Sequence, residues 1–259
     1  MHQIEPLYSL AGFLVGILVG LTGVGGGSLM TPILVLAFGF HPATAVGTDL
    51  LYASATKTVG TAVHGHGGTV DWRVVRRLAT GSIPASVATL VLLARIGTGG
   101  GATQHVITIA LGVALIATAM AMLLRRRIVA RFGHSLDRLS DGRIARMTVL
   151  LGAILGVLVS LSSVGAGALG MTALLILYPK LPTNRLVGSD IAHAVPLTLI
   201  AGTGHWIVGT VDFGLLASLL LGSVPGIVIG SMVSTRVSDR ALQPILAGTL
   251  AIVGGKLLF

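Results

Sequence analysis

Ten apolar runs alternate with short polar or glycine-rich breaks along this chain. The first five cover 7–21, 28–40, 43–65, 74–94 and 103–124; the second five cover 147–161, 168–179, 187–209, 214–235 and 241–258. A helix needs about 20 apolar residues to cross a hydrocarbon core of about 30 Å, so the long runs predict transmembrane helices. Runs 7–21 and 28–40 are each too short at about 1.5 Å per residue, and together too long for one crossing. The pattern predicts an all-α polytopic membrane protein in which each short pair forms a re-entrant hairpin ahead of three full crossings. One long polar stretch, RRRIVARFGHSLDRLSDGRIAR at 125–146, separates the two sets and holds seven of the 17 Lys and Arg residues. It reads as a basic cytoplasmic linker between a first membrane repeat, 1–124, and a second, 147–259.

The two sets are copies. Gly12-Phe-Leu-Val-Gly16 matches Gly152-Ala-Ile-Leu-Gly156, and LTGVGGGSL (21–29) matches LSSVGAGAL (161–169). After one inserted residue near Pro182, Val46-Gly-Thr-Asp49 matches Val187-Gly-Ser-Asp190. His64 then matches His205, Thr69-Val-Asp71 matches Thr210-Val-Asp212, and Gly81-Ser-Ile-Pro84 matches Gly222-Ser-Val-Pro225. Shared hydrophobicity does not put His, Asp and Pro at one near-constant offset; a duplication does.

Charge decides how the copies are oriented. With three crossings per half the halves are inverted. Arg73, Arg76, Arg77, the linker arginines, Lys180, Arg185, Arg236 and Arg240 then share the cytoplasmic side, leaving Arg95 and Lys256 outside. Parallel halves divide the basic residues less cleanly. Inversion also explains why VDWRVVRR in the first copy became VDFGLLAS in the second, whose loop lies on the outer face. The expectation is an inverted repeat with both termini outside. The first run lacks a basic leader and a small-residue cleavage site, so it reads as part of the fold and not as a removed signal peptide.

Composition sharpens this picture. Charged residues make up 10% of the chain and the mean hydropathy is +0.95, against about 25% charged in a soluble domain. Absent cysteine excludes disulfides, thiolate metal sites and a Cys nucleophile. Only 4% of residues are aromatic, too few for a base-stacking nucleic-acid binder despite the net charge of +9. The 37 glycines suit close helix packing. No Walker A segment is present, so ATP hydrolysis by this chain is not expected, and no cofactor is implied. His41, His64 and His66 lack the i, i+4 spacing of a ligand pair, so no metal site is expected.

Two glycine-rich tips carry the first candidate chemistry, Thr22 to Ser28 with Gly25, Gly26 and Gly27, and Ser162 to Ala168 with Ser163, Gly165 and Gly167. Tips entering from opposite faces would bring half-helix N-termini and bare backbone N–H groups to the midplane, a cradle for an anion. The plainer reading is packing alone. Lys57 is the one Lys or Arg deep inside a membrane run, fifteen residues into 43–65, whereas Arg76, Arg77 and Lys256 lie within four residues of a run end. A charge there costs at least about 2.5–3.5 kcal/mol, so it should face a cavity, a carboxylate or a bound anion. Its repeat partner is Thr198, so the fold itself does not require the charge. Asp49 and Asp190 follow Gly-Thr and Gly-Ser near helix starts and serve either as helix-dipole partners or in a proton or ion relay. Asp71 and Asp212 read as N-caps. His64 and His205 lie seven residues beyond Lys57 and Thr198 on the same helical face, placing them either at an interface or in proton transfer. Pro84, Pro196 and Pro225 fall within helices and suit kinks or simple tolerance.

The segments LTGVGGGSLMTPIL, HPATAVGTDL, GTVDWR and GSIP, repeated once over nearly the whole chain, resemble the TauE/SafE sulfite exporter family of bacterial membrane permeases. That resemblance implies a multi-pass protein of the bacterial cytoplasmic membrane that moves sulfite or organosulfonates. Asp49 and Lys57 depart from the commoner pattern. The leading expectation is a secondary anion transporter working by alternating access, not an enzyme. Its partners are a small anion and lipid, without nucleic acid; a homo-oligomer is compatible with the sequence. A cation permease using Asp49 and Asp190 is the alternative. A rhomboid-like Ser/His hydrolase is disfavoured, because His64 and His205 fall far from the midplane tips.

Overall fold

The computed structural model describes residues 5–22, 27–66, 70–97, 100–136, 140–165, 167–233 and 239–258. Ten helices run through them: α1 (Pro6–Thr22), α2 (Gly27–Leu36), α3 (Pro42–His66), α4 (Trp72–Ile96), α5 (Gly101–Leu136), α6 (Asp141–Ser162), α7 (Ala168–Leu177), α8 (Thr183–Ile207), α9 (Phe213–Val233) and α10 (Asp239–Leu258). Each apolar run has become one helix. Five of them, α4, α5, α6, α8 and α9, are long and apolar enough to cross a membrane. The bundle is turned out as lipid demands. Ile207, Met232 and Ile252 stand more than 70% exposed, whereas Asp49, Thr48, Ser82, Ser160 and Ser189 are fully buried.

The polar stretch between the halves differs from a plain linker. Helix α5 continues through Arg125–Arg131 to Leu136, and α6 already begins at Asp141 with Ser140 as its N-cap residue. Arginine is a good helix former, so a basic run directly after an apolar helix extends it. Residues 137–139 lie between the two helices.

Helix pairing follows the duplication and crosses between the halves. α1 packs on α9, and its counterpart α6 packs on α4; α5 pairs with α10, and α3 with α8. The matched glycines make the contacts. A Cβ on Gly12 would strike the Leu219 carbonyl, and one on the matching Gly152 would strike the Leu78 carbonyl. Gly16 meets Ser223 as Gly156 meets Ser82, and Gly222 meets Ser9 as Gly81 meets Val149. Small residues let these backbones touch. The contacts advance together along α1 and α9, and along α6 and α4, so each of these pairs is parallel. α3 and α8 run antiparallel, with Gly47 against His205 and Thr210, and Gly202 against Leu51.

The two ends of the bundle are chemically different. At one end, Arg77 of α4 meets Asp141 of α6 at 2.6 Å and Tyr178, just beyond α7, at 3.3 Å. There, too, the Asp71 N–H donates to Ser189 of α8 at 2.8 Å. At the other end, the edge of Tyr8 packs on Phe38 and Phe40, and Trp206 packs on Phe213. The Asp212 N–H donates to Thr48 of α3 at 3.1 Å, which repeats the Asp71–Ser189 bond in the other half. Asp71 caps α4 by accepting from the Arg73 and Val74 N–H groups, and Asp212 accepts from Leu215 N–H. Both are N-caps, as the sequence suggests.

Candidate functional site

Helices α3 and α8 carry the buried charge. Asp49 and Asp190 each lie about two turns inside their helices, which start at Pro42 and Thr183 and have no acidic residue in the first turn. Proline occupies the first helical position of α3, and α8 starts four residues before its apolar run. The helix-dipole reading of these carboxylates is therefore corrected: they are core groups, with Asp49 0% and Asp190 4% exposed. Lys57 is also buried and lies within electrostatic reach of both, more strongly of Asp190. Because α3 and α8 are antiparallel, the two matched carboxylates lie toward opposite ends of the pair. Arg125, near the basic end, is within electrostatic reach of Asp190.

The hairpins close on this line of charge. Thr31, on α2, donates to Asp49 Oδ2 twice, from its backbone N–H at 3.2 Å and from its hydroxyl. From the other half, the tip after α6 brings Ser163 beside Asp49. Neither Ser163 Oγ nor Asp49 Oδ1 has a partner with hydrogen-bond geometry, so the two are neighbours without a bond. Ser163 caps α6 in the left-handed region at φ 58°, and Gly165 follows at φ 120°, a turn that needs glycine at the second position. Ser162 serves the turn itself, donating to the Leu158 carbonyl at 2.6 Å and accepting from Val164 N–H at 3.2 Å. Gly167 precedes α7, and a Cβ there would meet no described atom within 4 Å.

Asp190 is treated differently. Gly170 of α7 lies so close that a Cβ there would meet Asp190 Oδ1, and that oxygen has no hydrogen-bond partner. The sequence supplies the reason. Thr31 is matched by Met171 and Ser163 by Gly23, so neither hydroxyl exists in the second arrangement.

Of the remaining candidates, Gly25 and Gly26 lie outside the described residues, and for Thr22, Gly27, Ser28 and His64 the backbone helix alone is described. His205 is buried and held at both ring nitrogens, Nδ1 by Thr210 Oγ1 and Nε2 by the Ser160 carbonyl, each at 2.8 Å. Both ring nitrogens are thus engaged where α8 meets α6. Sequence reading missed His193. It is fully buried on α8, one turn beyond Asp190, with Nε2 at 2.8 Å from Ser82 Oγ of α4 and Nδ1 without a partner. Its repeat counterpart is Tyr52, also fully buried, which sits by Ser223, the counterpart of Ser82, without a hydrogen bond. The matched four-residue segments Asp-x-x-Tyr and Asp-x-x-His are the signal that would have raised it. Among the described residues no group of three or more His, Asp and Glu side chains could hold a metal ion.

Comparison with known proteins agrees along the whole chain. The family described as Sulfite exporter TauE/SafE matches residues 8–257. The Probable membrane transporter protein YjnA of Bacillus subtilis (strain 168) is 39% identical over 250 residues, covering 96% of this chain and 98% of the relative. The Probable membrane transporter protein MJ0441 of Methanocaldococcus jannaschii is 24% identical over 266 residues, covering 96% and 93%. No solved structure gives a significant match.

Proposed function

The chain belongs to the Sulfite exporter TauE/SafE family and is a multi-pass membrane transporter; from that premise we propose that it is a secondary transporter of small anions, with sulfite or an organosulfonate as substrate. The observation that carries the reading is Lys57, buried on α3 within electrostatic reach of the matched carboxylates Asp49 and Asp190, one from each half. Thr31, midway along the half-helix α2, gives Asp49 both a backbone N–H and a hydroxyl, so this hairpin already brings donors to an anionic group in the core. In the resting arrangement the two aspartates balance Lys57. An entering anion competes with them for its ammonium group, and rocking of the halves then exposes it to the other side.

The proposed site residues are Lys57, Ser162, Ser163, Gly165 and Gly167 with the first tip, Thr22 to Ser28, and Asp49 and Asp190 as the groups that couple transport to protons. The membrane is the bacterial cytoplasmic one. The chain divides into two inverted repeats, 1–124 and 147–259, about the basic 125–146 segment. The antiparallel α3–α8 pair supports inversion, because a two-fold axis in the membrane plane reverses counterpart helices. The basic end near Arg77 and Asp141 is then cytoplasmic and the Tyr8–Phe38–Phe40 end external. Single cysteines at residues 2, 140 and 258 test this in the Cys-free background: an impermeant thiol reagent should label 2 and 258 from outside and 140 only after lysis. Labelling of 140 with 2 and 258 from one side would return the parallel arrangement.

The anion reading is tested with the charge-balanced variant Lys57→Met with Asp190→Asn, titrated with sulfite and methanesulfonate. Binding should fall by at least about tenfold, the scale of a lost charged hydrogen bond, in a protein that still extracts as a monodisperse species. Wild-type affinity in that variant would make Lys57 a structural counter-ion only. A second reading rests on the two carboxylates outnumbering the one buried Lys: a cation permease using Asp49 and Asp190. Saturable binding of a divalent cation, lost in Asp190→Asn and indifferent to sulfite, would favour it.

A further inference from the structure

His193 is a buried imidazole with one nitrogen used and one idle, and its neighbours determine which nitrogen carries the proton. A neutral imidazole has one donor and one acceptor nitrogen, and a serine hydroxyl has a single hydrogen to give. Among the described residues Ser82 Oγ makes one hydrogen bond, to His193 Nε2. Unlike Thr80 on the same helix, it makes no bond to a carbonyl one turn back. Sending the hydroxyl hydrogen to Nε2 leaves the fewest groups unpaired, so the ring proton is assigned to Nδ1. Nδ1–H is then a donor that is buried, unpartnered and within electrostatic reach of Lys57. A buried donor left without an acceptor costs about 1–3 kcal/mol, which marks it as a group awaiting one.

We propose that His193 is a substrate contact, its Nδ1–H donating to the oxyanion that Lys57 holds, with Ser82 as the positioning residue that fixes the tautomer. The inference rests on the anion-transport reading above and extends it to a residue of the second half. The ammonium supplies charge, and the imidazole N–H supplies direction. Tyr52 takes the matching place in the first half, so the substrate meets a different donor from each repeat. The neighbouring Asp190 Oδ1, also without a partner, is the acceptor with which the anion competes.

Two conservative variants separate contact from packing. An asparagine side chain reaches the position of Nδ1, whereas glutamine reaches that of Nε2. His193→Asn keeps a donor toward the substrate and gives up the Ser82 bond; His193→Gln keeps the Ser82 bond and gives up the donor. With sulfite as the probe, purified His193→Gln should bind at least about tenfold more weakly than wild type, and His193→Asn within about threefold. Ser82→Ala, which frees the tautomer, should fall between them. In wild-type protein labelled with 15N-histidine, the His193 resonances should report Nδ1 protonated, and sulfite should shift Nδ1 more than Nε2. That spectrum needs no variant to fold. The reverse order of the two variants, or an Nε2-protonated ring, would reduce His193 to a helix-packing residue. Wild-type affinity in His193→Gln, with binding lost in the Lys57→Met, Asp190→Asn protein, overturns this proposal and leaves the anion reading standing. Failure of the wild type to bind sulfite or methanesulfonate removes both.

Discussion

The two halves share a backbone plan and divide its chemistry unequally. In the first, the membrane carboxylate is enclosed: Asp49 takes two hydrogen bonds from Thr31 and has Ser163 of the other half alongside. In the second, Asp190 has Gly170 where a side chain would clash, an unpartnered oxygen, and Lys57 and Arg125 as its charged neighbours. One turn further on, the first half carries Tyr52 and the second His193. The close glycine contacts between helices are kept in both copies, while polar side chains that also lie between helices have changed. The glycines of α1 and α6 are still paired, whereas the polar groups along α3 and α8 have diverged. The shared packing keeps the two halves alike in frame, and the diverged polar groups make them unlike in chemistry.

The largest effect should come from breaking what the halves share. Gly81→Ala and Gly222→Ala each drive a methyl into a backbone carbonyl, of Val149 and of Ser9, neither of which can rotate away. Each should cost about 1–3 kcal/mol or more through overpacking, seen as loss of monodisperse protein and a lower melting temperature. Gly255→Ala, with no described atom near the new methyl, should be neutral or slightly stabilising. Equal melting temperatures for all three would deny that close packing holds the halves together.

The next effect tests what they do not share. Thr31→Val removes the hydroxyl donor from Asp49 and keeps the side-chain volume, so it should destabilise by about 1–3 kcal/mol. The matching residue in the second half is already Met171, so that half never had this bond to lose. A Thr31→Val protein as stable as wild type would mean that Asp49 is no better held than Asp190. Gly165→Ala belongs to the same scale: φ 120° is strained for any side chain and should cost about 1–3 kcal/mol, read as a melting shift.

Most of the frame is legible in the amino-acid sequence, because lipid imposes a length on every apolar run and glycine marks each close approach. The ten runs and the paired Gly12–Gly16 and Gly152–Gly156 segments follow from that. Helix ends are less legible. Thr183 starts α8 four residues before its apolar run begins, and so sets Asp190 deeper in its helix; arginine at 125–131 prolongs α5. The site is half legible. Lys57 stands out by the cost of its charge, but the meeting of Ser163 with Asp49, or of Ser82 with His193, joins positions in opposite halves. Local pattern holds no record of such pairs until the repeat is used to align them.

The smallest prediction compares the two N-caps, where the halves are nearly alike. Asp71 accepts from two backbone N–H groups, Arg73 at 2.9 Å and Val74 at 3.3 Å, and Asp212 accepts from Leu215 alone at 3.0 Å. Removing an Asp cap costs about 0.5–2 kcal/mol, with the higher end expected for Asp71→Ala. Each residue's own N–H continues to donate, to Ser189 and to Thr48, since the substitution leaves the backbone in place. The connection between α4 and α8, and its counterpart between α9 and α3, should therefore survive in both variants. Melting curves should show two modest shifts in the order Asp71→Ala then Asp212→Ala, with sulfite affinity within about twofold of wild type. If Asp71→Ala instead removed binding, the cap would be transmitting to Asp190 through Ser189, one residue away on α8, and the Arg77–Asp141 end of the bundle would belong to the transport path as much as its centre does.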